Sequence, residues 1–146
     1  MQLPPELIFD ASFGELFITR VAGNVLSPEI AGSLQYAWRH LRTPLFMVLD
    51  HTNCGAVATA IDTQLRGKRQ HSRIQLLVEC LLPGLQDLDP QLTPEAMLAQ
   101  AVEANVHWTM RQILETPEGR ERQVEGRVKL VGAIYEIETG RVRFLE

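Results

Sequence analysis

The stretch Leu45-Phe46-Met47-Val48-Leu49-Asp50-His51-Thr52-Asn53-Cys54-Gly55-Ala56-Val57 decides how this chain is read. Its first five residues are an unbroken apolar run, the composition of a strand buried on both faces of a parallel sheet. A polar turn follows, and Gly55-Ala56-Val57-Ala58-Thr59-Ala60 then supplies the small residues of a closely packed helix. A histidine and a cysteine therefore stand together where a strand hands over to a helix. Open α/β sheets place their ligand sites in that crevice, beyond the carboxyl ends of the strands. An imidazole beside a thiolate is a zinc-type donor pair.

Upstream of this stretch, Leu7-Ile8-Phe9 is a short apolar segment after a loop over residues 1–6. Glu15-Leu16-Phe17-Ile18-Thr19-Arg20-Val21 is rich in aromatic and β-branched residues and predicts a strand, ending in the turn Ala22-Gly23-Asn24. Ser27-Pro28 has the form of a helix start, with Ser as N-cap and Pro at the first helical position. Ile30, Leu34, Trp38 and Leu41 then recur at helical spacing and predict one buried stripe, closed by Thr43-Pro44. Downstream, a helix is expected from Cys54 to about Leu65, then a solvated basic loop over residues 66–70, then a helix from Arg73 to Leu82. Thr93-Pro94-Glu95 opens a long helix that turns Met97, Ala101, Val102, Val106, Ile113 and Leu114 to a core, and Thr116-Pro117-Glu118-Gly119 ends it. Residues 128–135 and 142–145 read as strands. This order predicts an α/β fold, a mainly parallel β-sheet flanked by helices.

Composition sets the bounds. One domain over residues 1–146 is expected, with 45% hydrophobic and 22% charged residues. A net charge of −4 gives no electrostatic reason to expect nucleic acid or an anionic membrane as partner. No apolar run approaches the roughly 20 residues that span a bilayer. The N-terminus has no secretory pattern, and two cysteines suggest a reducing compartment, so a cytoplasmic location is expected. Neither a phosphate-binding glycine motif nor a G-x-S-x-G elbow nor a C-x-x-C pair occurs, which argues against nucleotide, hydrolase and thioredoxin chemistry.

With its segments placed, the chain resembles the β-class carbonic anhydrases. The residues that carry the likeness lie in the family's order: Gly14-Glu15-Leu16-Phe17 with Arg20-Val21-Ala22-Gly23-Asn24, Ser33-Leu34-Gln35-Tyr36-Ala37, and His51-Thr52-Asn53-Cys54-Gly55-Ala56-Val57. Glu103 with Asn105-Val106, then Gly132-Ala133-Ile134-Tyr135 with Thr139-Gly140, complete the set. The resemblance implies a zinc lyase that interconverts carbon dioxide and bicarbonate and assembles as a homodimer or higher oligomer. It implies His51 and Cys54 as metal ligands, with Gly55 shaping the turn beside the metal and Arg20 and Asn24 supporting the site. Zinc in such a site brings the pKa of bound water towards neutrality.

The family's other cysteine ligand lies in a Cys-x-Asp-Ser-Arg motif on the first, interior strand of its sheet. That motif is not in this sequence, so the expectation is a truncated or degenerate member lacking that strand, with two zinc ligands and no complete site. No stand-in is expected. Cys80 reads as a small buried apolar residue, nothing in the spacing of Asp10 argues for a ligand, and His40, His71 and His107 read as surface or partly buried. Asp50 occupies the position before the histidine where the family usually has glycine. Because neighbouring strand residues point to opposite faces, Asp50 and His51 are not expected to reach one metal. Two readings follow: a carbonic anhydrase, or a catalytically inactive subunit retained as an oligomerisation or interaction module.

Overall fold

The computed structural model describes residues 3–146. Three strands form one sheet in the order β1-β2-β3: β1 is Leu45–His51, β2 is Lys129–Glu136 and β3 is Arg141–Leu145. β1 and β2 run parallel, with Val48 opposite Gly132 and His51 opposite Tyr135. β2 and β3 form an antiparallel hairpin, so the sheet is mixed. Between β1 and β2 the chain passes through helices α3 (Gly55–Arg66), α4 (Ser72–Leu81), α5 (Pro94–Glu115) and α6 (Pro117–Glu125). A parallel pair requires such a crossover. Two further helices, α1 (Pro5–Ile8) and α2 (Pro28–Tyr36), precede β1.

The α/β fold expected from the sequence is present, and the helix starts follow the expected chemistry. The hydroxyl of Ser27 accepts the N–H of Ile30 at 3.4 Å, and that of Thr93 accepts the N–H of Ala96 at 3.3 Å. Thr116-Pro117-Glu118-Gly119, read as a stop, is both a stop and a start. Thr116 caps α6 by accepting the N–H of Gly119 at 3.0 Å. The corner between α5 and α6 is so tight that a Cβ on Gly119 would collide with the carbonyl oxygen of Ile113.

Three expectations are corrected. Residues 15–21, expected as a strand, form none. The segment is extended at Val21 (φ −148°, ψ 151°), but among the described residues β1 is a sheet edge whose one partner is β2, so the segment joins no ladder. Its composition satisfies a strand's side chains; a strand also needs a partner for its N–H and C=O groups. The stripe expected over Ile30, Leu34, Trp38 and Leu41 is only partly buried at its first three residues and open at the fourth. Leu41 is 52% exposed and Ala37 is the fully buried residue there, because residues 37–41 widen into a π-helical turn that ends at Arg42 (φ 52°). Finally, Cys80 is exposed rather than buried.

The core lies between α3, α4, α5 and the sheet. Val48, Val57, Ala60, Val78, Leu81, Leu85, Ala101, Val102, Val106 and Ile134 pack together there. α5 approaches β2 so closely that a Cβ on Gly132 would sit 2.6 Å from the sulfur of Met110 and 2.8 Å from Val106. This contact seats α5 on the sheet, with its two buried polar residues aimed at one place: Asn105 reaches Asp50 near the end of β1, and Thr109 reaches Asn24.

Candidate metal centre

β1 ends at His51, and the chain reverses through Thr52 and Asn53 before α3 begins. Asn53 makes the reversal in the left-handed region (φ 58°), a conformation that Asn tolerates better than most residues. Gly55 needs no special conformation, and a Cβ on it would meet open space. The turn's backbone requirement therefore falls on Asn53. Contacts from the β2–β3 hairpin pin the reversal: Thr52 Oγ1 donates to Glu138 at 3.0 Å and accepts the N–H of Ile137 at 3.1 Å, the Thr52 N–H donates to the carbonyl of Tyr135 at 3.0 Å, and Asn53 Nδ2 donates to the Glu138 carboxylate at 3.0 Å. Glu138 lies in the β2–β3 hairpin turn, so the sheet itself holds the loop.

His51 is half-buried, and its Nδ1 lies 2.8 Å from the carbonyl oxygen of Thr52. A carbonyl only accepts, so Nδ1 carries the hydrogen and the Nε2 lone pair is free to bind a metal. Cys54, 4% exposed, is the N-cap of α3. Main-chain N–H groups of Val57 and Ala56 approach its sulfur and favour the thiolate. They are outweighed by burial and then by the charge of Asp50, which push the thiol from 9.0 up to about 11.

Asp50 is the residue that sequence reasoning set aside. One ligand atom each from Asp50, His51 and Cys54 lies within 4.8 Å of the others. The alternation argument describes where Cβ atoms point, and here the side chains bend past it. Asp50 Oδ1 accepts the N–H of His51 at 2.9 Å, which folds the carboxylate back towards its neighbour. Oδ2 accepts Asn24 Nδ2 at 2.8 Å and, more weakly, Asn105 Nδ2 at 3.4 Å. Asn105, fully buried, also donates to the carbonyl of Gly23 at 2.9 Å. Thr109 Oγ1 holds Asn24 through its side-chain oxygen at 2.9 Å. Asp50 is 5% exposed, and among the described residues no cationic side chain pairs with it; the ion pairs involve Arg66, Arg122 and Arg143.

Of the residues singled out from sequence, His51 and Cys54 are together and Asn24 touches the cluster through Asp50. Arg20 is exposed and makes no hydrogen bond or ion pair with Asp50, His51 or Cys54. Cys80 and Asp10 lie outside the cluster. The sequence reading assigned no role to Asn105, Thr109 or Glu138. The first two had a signal: on α5 they interrupt, four residues apart, the apolar face of Ala101, Val102 and Val106.

The chemistry of the set suits a divalent cation. Imidazole, thiolate and carboxylate are the donors that zinc takes, and among the described residues no cationic side chain pairs with the buried carboxylate beside the buried thiol. A cation there would oppose the burial and the Asp50 carboxylate that hold Cys54 as a thiol. The apolar groove lined by Leu34, Trp38, Phe46, Ile113 and Leu130 is unrelated, because Phe46 and Leu130 belong to the starting ends of β1 and β2.

Comparison with known proteins agrees. The family model described as carbonic anhydrase matches residues 2–142. Carbonic anhydrase 2 of Mycobacterium tuberculosis is 30% identical over 137 residues, covering 93% of this chain and 65% of that protein. The chain thus spans just under two thirds of that relative's length. Among solved structures, the β-carbonic anhydrase CcaA superposes with a TM-score of 0.85 at 25% identity, covering 99% of this chain and 74% of that one. A tetrameric β-carbonic anhydrase from Sordaria macrospora gives a TM-score of 0.86 at 21% identity, with 97% and 74% covered. On the family model, the relatives and the fold together, this chain belongs to the β-class carbonic anhydrase family.

Proposed function

We propose that this chain is a zinc protein of carbon dioxide and bicarbonate chemistry, a single β-carbonic anhydrase-like domain that holds its metal through His51 and Cys54. The observation that carries the reading is the meeting of these two side chains at the carboxyl end of β1, in a member of this family. When bound, zinc supplies a Lewis acid that activates water at neutral pH. The chain's own residues prepare the place for it. The Thr52 carbonyl fixes the His51 tautomer and ring orientation, the start of α3 directs N–H groups at the Cys54 sulfur, and Glu138 clamps the turn between them. Asn24 acts by holding Asp50. The roles of Gly55 and Arg20 rest on the resemblance alone.

Assembly as a homodimer or higher oligomer belongs to this reading. Large apolar side chains are bare near the N-terminus: Leu7, Phe13 and Phe17 are 81%, 108% and 45% exposed. A cytoplasmic setting also belongs to it; both cysteines are free, and no helix among the described residues is long and apolar enough to cross a membrane. The test is stopped-flow hydration of carbon dioxide by the zinc-loaded chain, with His51→Ala and Cys54→Ser as controls. Hydration abolished by both substitutions is the expected result, and a rate equal to buffer refutes the activity. The bare apolar segment also favours the second reading, a non-catalytic subunit. That reading predicts oligomers in sedimentation without hydration.

A further inference from the structure

We propose that Asp50 is the third protein ligand of the metal, so that this chain carries an Asp-His-Cys site for a divalent cation of the zinc type within five consecutive residues. The inference rests on the zinc reading above and extends it to a residue that the resemblance does not supply.

Four observations carry it. The carboxylate, imidazole and thiol donors already lie within 4.8 Å of one another. Tetrahedral zinc with ordinary bond lengths sets its donors about 3.3–3.6 Å apart, so side-chain adjustments of about an ångström close the set. Asp50 is also buried, at 5% exposure, and among the described residues it has no cationic partner. A buried carboxylate in that position calls for a positive charge. Third, its contacts come from N–H donors on three segments: the main chain of His51, Asn24 on the turn before α2, and Asn105 on α5. Ligating carboxylates are held by outer hydrogen bonds of this sort. Fourth, the charges balance. One carboxylate and one thiolate would neutralise a divalent ion, as two thiolates would.

The experiment is metal binding by the full chain, measured apart from catalysis. The chelator-stripped protein is titrated with Zn2+ against a chromophoric competitor, and with Co2+ to read the thiolate-to-cobalt charge-transfer band. The expected result is one ion per chain with a sulfur charge-transfer band, and affinity reduced by at least about 100-fold in Asp50→Asn, beyond the 10–100-fold typical of losing an outer partner. Wild-type affinity in Asp50→Asn overturns the proposal, as does an unsubstituted chain that takes up no ion. A variant that fails to fold is replaced by a measurement on the unsubstituted chain. The 13Cγ resonance of Asp50 is expected to shift with zinc occupancy, and a resonance that stays in place overturns the ligand assignment. The outcomes also separate this proposal from the reading beneath it. If His51→Ala and Cys54→Ser abolish binding while Asp50→Asn does not, zinc on His51 and Cys54 survives and Asp50 falls. If all three substitutions weaken binding yet the loaded chain does not hydrate carbon dioxide, the three-donor site stands and the enzymatic activity falls.

Discussion

Without metal, Cys54 is expected to be an unreactive thiol although it caps a helix, a position that normally activates cysteine. The structure shows why. Burial is the larger cause, the charge of Asp50 the second, and together they raise the thiol from 9.0 to about 11. At pH 8 an ordinary thiol at 9.0 is about one-tenth thiolate, and one at 11 about one-thousandth, so ionisation alone slows alkylation by about 100-fold. Burial of Cys54 slows it further, whereas Cys80 is exposed. The assay is iodoacetamide labelling of the chelator-treated native chain at pH 8, with each cysteine followed by peptide mass spectrometry. Cys80 is expected to label more than about 100 times faster than Cys54. Asp50→Asn should narrow the gap only in part, because desolvation remains. Comparable labelling rates in the native chain would refute this electrostatic account. The same shift has a stability consequence with a definite sign. The folded pKa lies above the unfolded one, so the folded chain retains a proton that the unfolded chain loses. Stability is full below pH 9 and declines as pH rises from 9 to about 11, by at most about 2–3 kcal/mol. Denaturant melts of the metal-free chain across that window should show the slope, and Cys54→Ser should remove it.

Three substitutions test the supports. Asn105→Ala removes a buried donor from the Gly23 carbonyl and from Asp50; the side-chain oxygen it also removes is itself unpartnered, so a net loss of about 2 kcal/mol is expected in urea melts. Gly132→Val drives a side chain into Met110 and Val106, whose nearest atoms stand only 2.6 and 2.8 Å from where its Cβ would lie, and should cost about 1–3 kcal/mol in thermal or urea unfolding. Gly55→Ala opens α3 with a Cβ that meets nothing and should leave the fold unharmed or stabilise it by about 0.4–1 kcal/mol; a marked loss of stability there would mean that the turn depends on glycine after all.

What the sequence disclosed was local. Ser27-Pro28 and Thr93-Pro94 announced helix starts because a capping hydroxyl and a fixed φ act within one turn. The apolar run 45–49 announced β1, although the strand is a sheet edge on which Leu45 is exposed and, of that run, Val48 alone is fully buried, not a strand covered on both faces. The segment 15–21 misled because its side chains satisfy a strand while its backbone depends on a partner that β1 does not provide. Asp50 misled for a related reason: period-2 alternation fixes Cβ directions, yet a carboxylate folded back on the next N–H escapes it. Thr116-Pro117 repeats the pattern at Thr93-Pro94, so the start of α6 is legible in the sequence beside the stop of α5.

The centre divides its work between near and distant residues. All three donors come from residues 50–54, so their presence is a property of one short peptide. Their arrangement is not. Asn24 holds Asp50 from 26 positions away, Asn105 from 55, and Glu138 clamps the turn from 85 or 86. Asn105 reaches it because α5 is seated on Gly132, Glu138 because β2 is paired with β1, and Asn24 is held in place by Thr109 of α5. Metal affinity should therefore follow the integrity of the whole fold. A substitution such as Gly132→Val, which touches none of the donors, should weaken zinc binding through the same contacts by which it weakens the core.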